Sequence, residues 1–155
     1  MVQVKLNVEV TEAKGALNQL KSRIPSATGK ALSRTAVFLE NAIKDRTRKG
    51  RDFRGRAFKP YSRKYAKQRA KEGRTTTPNL FRAGLMLGNM RFKRLSNQEG
   101  IIRFPARRQN IKAFYHDIQG VGKAKVKREF FSVGKKEEKK AVKIFTDTLM
   151  RDLRI

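Results

Sequence analysis

Residues 52–90 read "DFRGRAFKPYSRKYAKQRAKEGRTTTPNLFRAGLMLGNM", and they change character halfway. The first half is crowded with Lys and Arg, yet Phe53, Phe58, Tyr61 and Tyr65 recur among the charges; after Pro78 the stretch turns apolar. Counted from Lys44 to Arg74, 14 Lys and Arg stand against Asp45, Asp52 and Glu72, with Gly50, Gly55, Pro60 and Gly73 interrupting. So charged a segment is expected to add little to a core and to protrude as a basic loop and helix over about residues 44–78. Ser62 is placed to cap a short basic helix that Gly73 ends, and "TTTP" connects it onward. Beyond Pro78, Leu80, Phe81, Leu85 and Met86 recur at helical spacing, with Gly84 permitting close approach.

Working outward, the N-terminal side predicts a strand and two helices. Val2, Val4, Leu6, Val8 and Val10 alternate with polar residues, which places their side chains on one face of a strand. Thr11 is read as the N-cap of a first helix carrying Ala16, Leu17 and Leu20, closed by Pro25. Ser26 then opens a longer helix with an apolar stripe of Ala31, Leu32, Thr35, Val37, Phe38, Leu39, Ala42 and Ile43.

On the C-terminal side, Asn89–Leu95 and Gly100–Phe104 read as a hairpin around "SNQEG". A short helix from about Asn110 carries Ile111, Phe114, Tyr115 and Ile118, followed by the basic loop "QGVGKAK". Val126–Val133 reads as another strand. From Lys135 a last helix sets Val142, Phe145, Leu149 and Leu153 along one side. The sum is an α+β fold: a single domain over 1–155, with helices packed on a small antiparallel sheet and a long basic loop-helix insertion.

The chain has 155 residues, 39 Lys and Arg against 13 Asp and Glu, and a net charge of +26. That excess repels itself and is best tolerated beside a polyanion, so DNA, RNA or an acidic protein surface is the expected neighbour. The absence of Cys removes disulfides, thiolate metal sites and a Cys nucleophile. No secretory pattern opens the chain, and no apolar run nears the roughly 20 residues that span a bilayer, so a soluble protein made in a cytoplasm is expected, with no membrane partner.

Catalytic chemistry has little to draw on. His116, the only histidine, is followed by Asp117 but lacks spaced metal ligands and a nucleophile partner, which favours a structural role. Gly120 and Gly122 match neither phosphate-loop fingerprint and read as a turn. No cofactor, no metal and no enzymatic activity are expected. The aromatic residues of the basic stretch can stack on bases or anchor the loop to the core or to a neighbouring subunit; anchoring is favoured, since stacking platforms normally lie on a preformed sheet.

The order of motifs carries more than any one of them. Phe53, Gly55, Phe58, Pro60, Tyr61 and Ser62 in the loop come first. Leu80, Gly84 and Leu85 follow, then Tyr115, His116 and Gly120, and finally Arg128, Phe130 and Ser132 before an amphipathic helix. Over roughly residues 30–150 this series resembles the tailed-phage virion morphogenesis, or tail-completion, family. Phe58 stands where that family usually has Trp, and His116 follows Tyr115 directly where the family spaces them.

The resemblance implies a structural virion protein of the head-tail neck, made in the host cytoplasm. It would form a homomeric ring, hexameric by resemblance, around the channel that the double-stranded genome traverses. Its implied partners are further copies of itself, a portal or head-tail adaptor, tail-tube or tail-terminator proteins, and genome DNA contacted without sequence preference. On this reading Phe53, Gly55, Phe58, Pro60, Tyr61, Leu80, Leu85 and Phe130 serve assembly. Arg63, Lys64, Lys67 and Lys71 face DNA or an acidic partner. The alternative is a stand-alone, sequence-independent nucleic-acid-binding protein.

Overall fold

A computed structural model describes residues 10–153 of the chain. The strand expected over residues 2–10 lies outside them except for Val10, which opens the first helix. That helix, α1 (Val10–Arg48), is one element of 39 residues where two were expected. Thr11 falls within its first turn, and Pro25 sits inside it. Proline has no N–H to donate to the carbonyl four residues back, which normally favours a break. Tertiary packing overrides that preference. Just beyond Pro25, the small residues Ala27, Ala31 and Ala36 are buried, so another helix can approach closely.

That helix is α5 (Lys135–Leu153), which makes the principal helix pairing of the molecule with α1. The two run antiparallel, as their end contacts show. Arg23 Nη2 donates to the Asp152 carbonyl at 2.7 Å and Lys30 pairs with Asp152, while Arg46, near the other end of α1, pairs with Glu137. The buried positions of α5 are Ala141, Thr148 and Leu153, and Val142 is exposed. Of the expected stripe, Leu153 is buried and Phe145 and Leu149 are partly buried, while Val142 is exposed and Ala141 is buried beside it. In α1, Val37 is likewise exposed and Ala36 takes its place inside.

The basic insertion contains α2 (Arg63–Lys71), capped by Ser62, whose hydroxyl accepts from the Tyr65 N–H, and followed by a turn at Gly73. The apolar stretch after Pro78 is helical only at α3 (Leu85–Gly88), with Gly84 at its N-cap. The hairpin is as expected. β1 (Arg91–Arg94) pairs antiparallel with β2 (Gly100–Arg103), Phe92 opposite Ile102, and the Glu40 carboxylate of α1 accepts from the Phe92 N–H. Next comes α4 (Arg107–Phe114), continued by a π-helical turn over Tyr115–Gln119. The result is an α+β domain of helices around a two-stranded antiparallel sheet.

Val126–Val133 forms no strand; its only ladder contact is one antiparallel bridge between Val121 and Val126. Its polar backbone is satisfied by side chains and a turn instead. Asp117 Oδ1 accepts from the N–H groups of both Phe130 (2.7 Å) and Phe131 (2.9 Å), and Arg46 Nη2 donates to the carbonyls of Phe130 and Ser132. The Arg128 N–H bonds the His116 carbonyl at 2.7 Å. The segment is thus strapped between the π turn and α1, which carries Phe130 fully into the core.

That core consists of Ile43, Phe58, Met86, Leu87, Met90, Phe104, Ala113 and Phe130, with Leu80, Ile102 and Phe131 packed against it. Phe58 belongs to the stretch expected to contribute little, so the basic insertion is anchored in its own chain. The anchor is built locally. Asp52 Oδ1 accepts from the N–H groups of Arg54 and Arg56, and its other oxygen pairs with the Arg56 side chain. Gly55 turns the tip at φ +82°, a conformation that side chains disfavour. The Phe58 N–H then returns to the Gly50 carbonyl at 2.8 Å, which aims the ring inward.

Candidate functional site

A groove of about 850 Å³ opens between the second half of the basic insertion, the 80–86 segment, α4 with its π turn, and the 121–128 loop. Its placement follows from local chemistry. The π turn makes a wider ring than an α turn, and Tyr115 closes it by accepting from the Gly120 N–H at 2.7 Å. Gly120 itself has φ +88°, and a Cβ there would lie 2.3 Å from the Lys125 carbonyl oxygen. Only glycine lets the 121–126 loop fold back to form the groove wall.

Tyr61 occupies the middle of the polar side. Its ring meets Tyr65 edge-on at 4.9 Å, and the guanidinium groups of Arg69 and Arg128 lie over it at 5.2 and 5.1 Å. Both arginines are almost wholly buried, at 2% and 4% exposure. Arg69 donates to the Thr75 carbonyl and to Asn79 Oδ1, and Arg128 to the carbonyls of Lys59 and Pro60. The Arg128 Nε is buried without a hydrogen-bond partner. Burial lowers the Arg128 pKa, an effect countered by the facing hydroxyls of Tyr61 and Tyr65.

Arg82, Lys112 and Lys123 add three further cations to the lining, and no Asp or Glu is among the lining residues. The rest of the wall is apolar, with Leu80, Met86, Val121 and Val126 prominent. His116 also faces the groove, with its Nδ1 buried and unpartnered. Burial first, then the charges of Arg128 and Lys112, push its pKa down to about 4, so the ring is neutral near pH 7.

The residues singled out from the sequence distribute over three places. Pro60, Tyr61, Leu80 and Leu85 line the groove. Phe58 and Phe130 are core residues, 6% and 0% exposed, and act through the fold. Phe53 and Gly55 lie on the far side of the loop, where the Phe53 N–H bonds the Glu129 carbonyl and Arg54 covers the Phe53 ring at 4.4 Å. Arg63, Lys64, Lys67 and Lys71 are all exposed. At about 100° per residue they fall within one arc of roughly 100° on α2, opposite the side that carries Tyr65 and Arg69.

Arg69, Lys112 and the pair Lys123 and Arg128 were not legible as one site, because they come from three separate stretches. One signal was available: Tyr65 and Arg69 stand four apart on the helix, on the face away from the other cations. A second feature also escaped the sequence. Ile111, Phe114, Tyr115 and Ile118, read from the sequence only as carried by one short helix, are all exposed, Ile118 at 55%.

Among the described residues no group of three or more His, Asp or Glu side chains is placed to hold a metal ion, and no helix is long and apolar enough to cross a membrane. The fold and the groove define an α+β domain with a concavity lined by cationic, aromatic and apolar side chains. The chain matches no family model, no curated protein and no solved structure.

Proposed function

We propose that this protein is a structural, non-enzymatic component of a tailed-phage virion. It assembles into a ring at the head-tail junction, around the channel that the genome crosses. Its partners are further copies of itself, a portal or adaptor on one side, tail-tube or terminator proteins on the other, and DNA contacted through phosphates alone. The reading rests on the ordered motif series from Phe53 to Ser132.

The observation that carries its assembly half is the exposed strip of Ile111, Phe114, Tyr115 and Ile118. These residues recur at the spacing of one helical face. On so highly charged a chain, a contiguous apolar face of this kind favours association with protein. The exposed cationic face of α2 supports the DNA half, because phosphate neutralisation needs exposed Lys and Arg and no base readout. The same face also favours the second reading, a stand-alone nucleic-acid binder.

Native mass spectrometry separates the two. A ring component forms one closed stoichiometry, alone or on addition of neck proteins, and the Ile111→Ser/Ile118→Ser variant stays monomeric with an unchanged circular dichroism spectrum. A protein that coats DNA as a monomer, and behaves identically with both substitutions, refutes the ring.

A further inference from the structure

Two buried arginines in one groove lack a counter-ion. Among the described residues neither Arg69 nor Arg128 forms an ion pair, although eleven ion pairs are present elsewhere. A guanidinium removed from water is ordinarily matched by a carboxylate, and carbonyls and an aromatic face compensate only part of its lost hydration. Here two such groups converge on Tyr61, one with an unpartnered Nε, in a groove that has no acidic residue and is rimmed by Lys112 and Lys123.

We propose that this groove binds an acidic segment of a partner protein, a Glu or Asp side chain entering beside Tyr61 toward Arg69 and Arg128 with apolar residues on either side of it. Three observations fix the occupant. The apolar wall of Leu80, Met86, Val121 and Val126 suits hydrocarbon side chains and offers nothing to a sugar-phosphate backbone, which has the exposed face of α2 available. The donors still open suit a carboxylate: Arg69 already gives Nε and Nη2, and Arg128 gives Nη2, to oxygens of the chain, which leaves Nη1 of each and the Nε of Arg128 for an acidic side chain. Among the described side chains a second copy is a poor donor: Glu40, Asp45, Asp52, Glu72, Glu129, Glu137, Asp147 and Asp152 are engaged in ion pairs within the chain, Asp117 holds backbone N–H groups, and the unpaired Glu99 and Glu138 lie between Gln98 and Gly100 and between Glu137 and Lys139, without apolar residues on either side. The inference stands independently of the ring and its stoichiometry.

The chain supplies its own reporter. It has no Trp and three Tyr, of which Tyr61 and Tyr65 line the groove. The probe is a synthetic peptide without aromatic residues, two Glu flanked by Leu and Val, titrated into the full-length protein at about 0.15 M ionic strength, where distant exposed charges are screened. Saturable change in tyrosine emission is expected, with affinity roughly tenfold or more weaker for Arg128→Gln and for the same peptide with Gln in place of Glu. A control variant with Arg63, Lys64, Lys67 and Lys71 all changed to Ala loses more charge away from the groove and is expected to bind within about threefold of wild type, given that screening.

If Arg128→Gln does not fold by circular dichroism, the exposed pair Lys112→Ala/Lys123→Ala carries the same comparison. Equal weakening by the α2 control, equal binding of the Gln peptide, or unchanged tyrosine emission overturns the proposal. So does a single-stranded oligonucleotide that alters tyrosine emission when the acidic peptide does not.

Discussion

Lowering the pH through the range in which free histidine titrates should weaken this fold, and His116 should account for the loss. The ring is largely buried, its Nδ1 has no partner, and Arg128 and Lys112 bring positive charge toward it. Its pKa falls from 6.5 to about 4 in the folded chain. A base whose folded pKa lies below its unfolded value binds fewer protons when folded, so stability rises with pH between the two values and is lost as pH falls below 6.5. From about pH 7 to about pH 5 the loss works out at about 2 kcal/mol. Ordinary carboxylates remain ionised across that interval and contribute little to the difference.

The assay is urea denaturation followed by circular dichroism at several pH values, for the wild type and for His116→Gln. Glutamine does not titrate. The variant should lose a modest amount of stability at neutral pH and nearly all of the slope between pH 7 and 5. A variant with the wild-type slope, or a wild type with none, refutes the assignment of a buried neutral imidazole. The outcome also bears on the proposed function: if the protein is a virion component, a particle built with His116→Gln should remain infectious when the residue is structural.

Two further outcomes test other parts of the structure. Asp117→Ala leaves the N–H groups of Phe130 and Phe131 without their acceptor and should cost about 2–5 kcal/mol, whereas Asp117→Asn keeps an acceptor oxygen and should cost about 1 kcal/mol; equal costs in thermal denaturation would show that the strap is not what holds the segment. Reversal to Glu of Arg63, Lys64, Lys67 and Lys71 should weaken binding to DNA of any sequence and reduce the steepness of its salt dependence by about 3–4; an unchanged slope would remove α2 from the DNA-contacting surface.

What the sequence determined by itself was chemistry that acts over a few residues. Ser62 at the start and Gly73 at the end bound α2 because an N-cap hydroxyl and a left-handed turn need no distant partner. The hairpin around "SNQEG" was legible for the same reason, as was the α+β class, since periods of two and of 3.6 write their own element type. The basic character of the whole, and the face of α2 that presents it, also needed no coordinates.

Contacts between distant stretches decided the rest. Pro25 should end a helix, yet burial of Ala27, Ala31 and Ala36 and contacts such as Arg23 with Asp152 carry α1 through it. Val126–Val133 has strand composition and forms none, because Asp117 and Arg46 take up hydrogen bonds that a neighbouring strand would have made. Phe58, expected to anchor the basic loop either to the core or to a neighbouring subunit, lies in the core, since Asp52 folds the loop back on itself. The groove is the clearest case. Arg69 and Arg128 lie 59 positions apart in the sequence, and only the packing of α2 beside the strapped 126–131 segment brings both over Tyr61. Periodicity records which way a side chain points along its own element; which charges share one ring depends on elements that meet only in the folded chain.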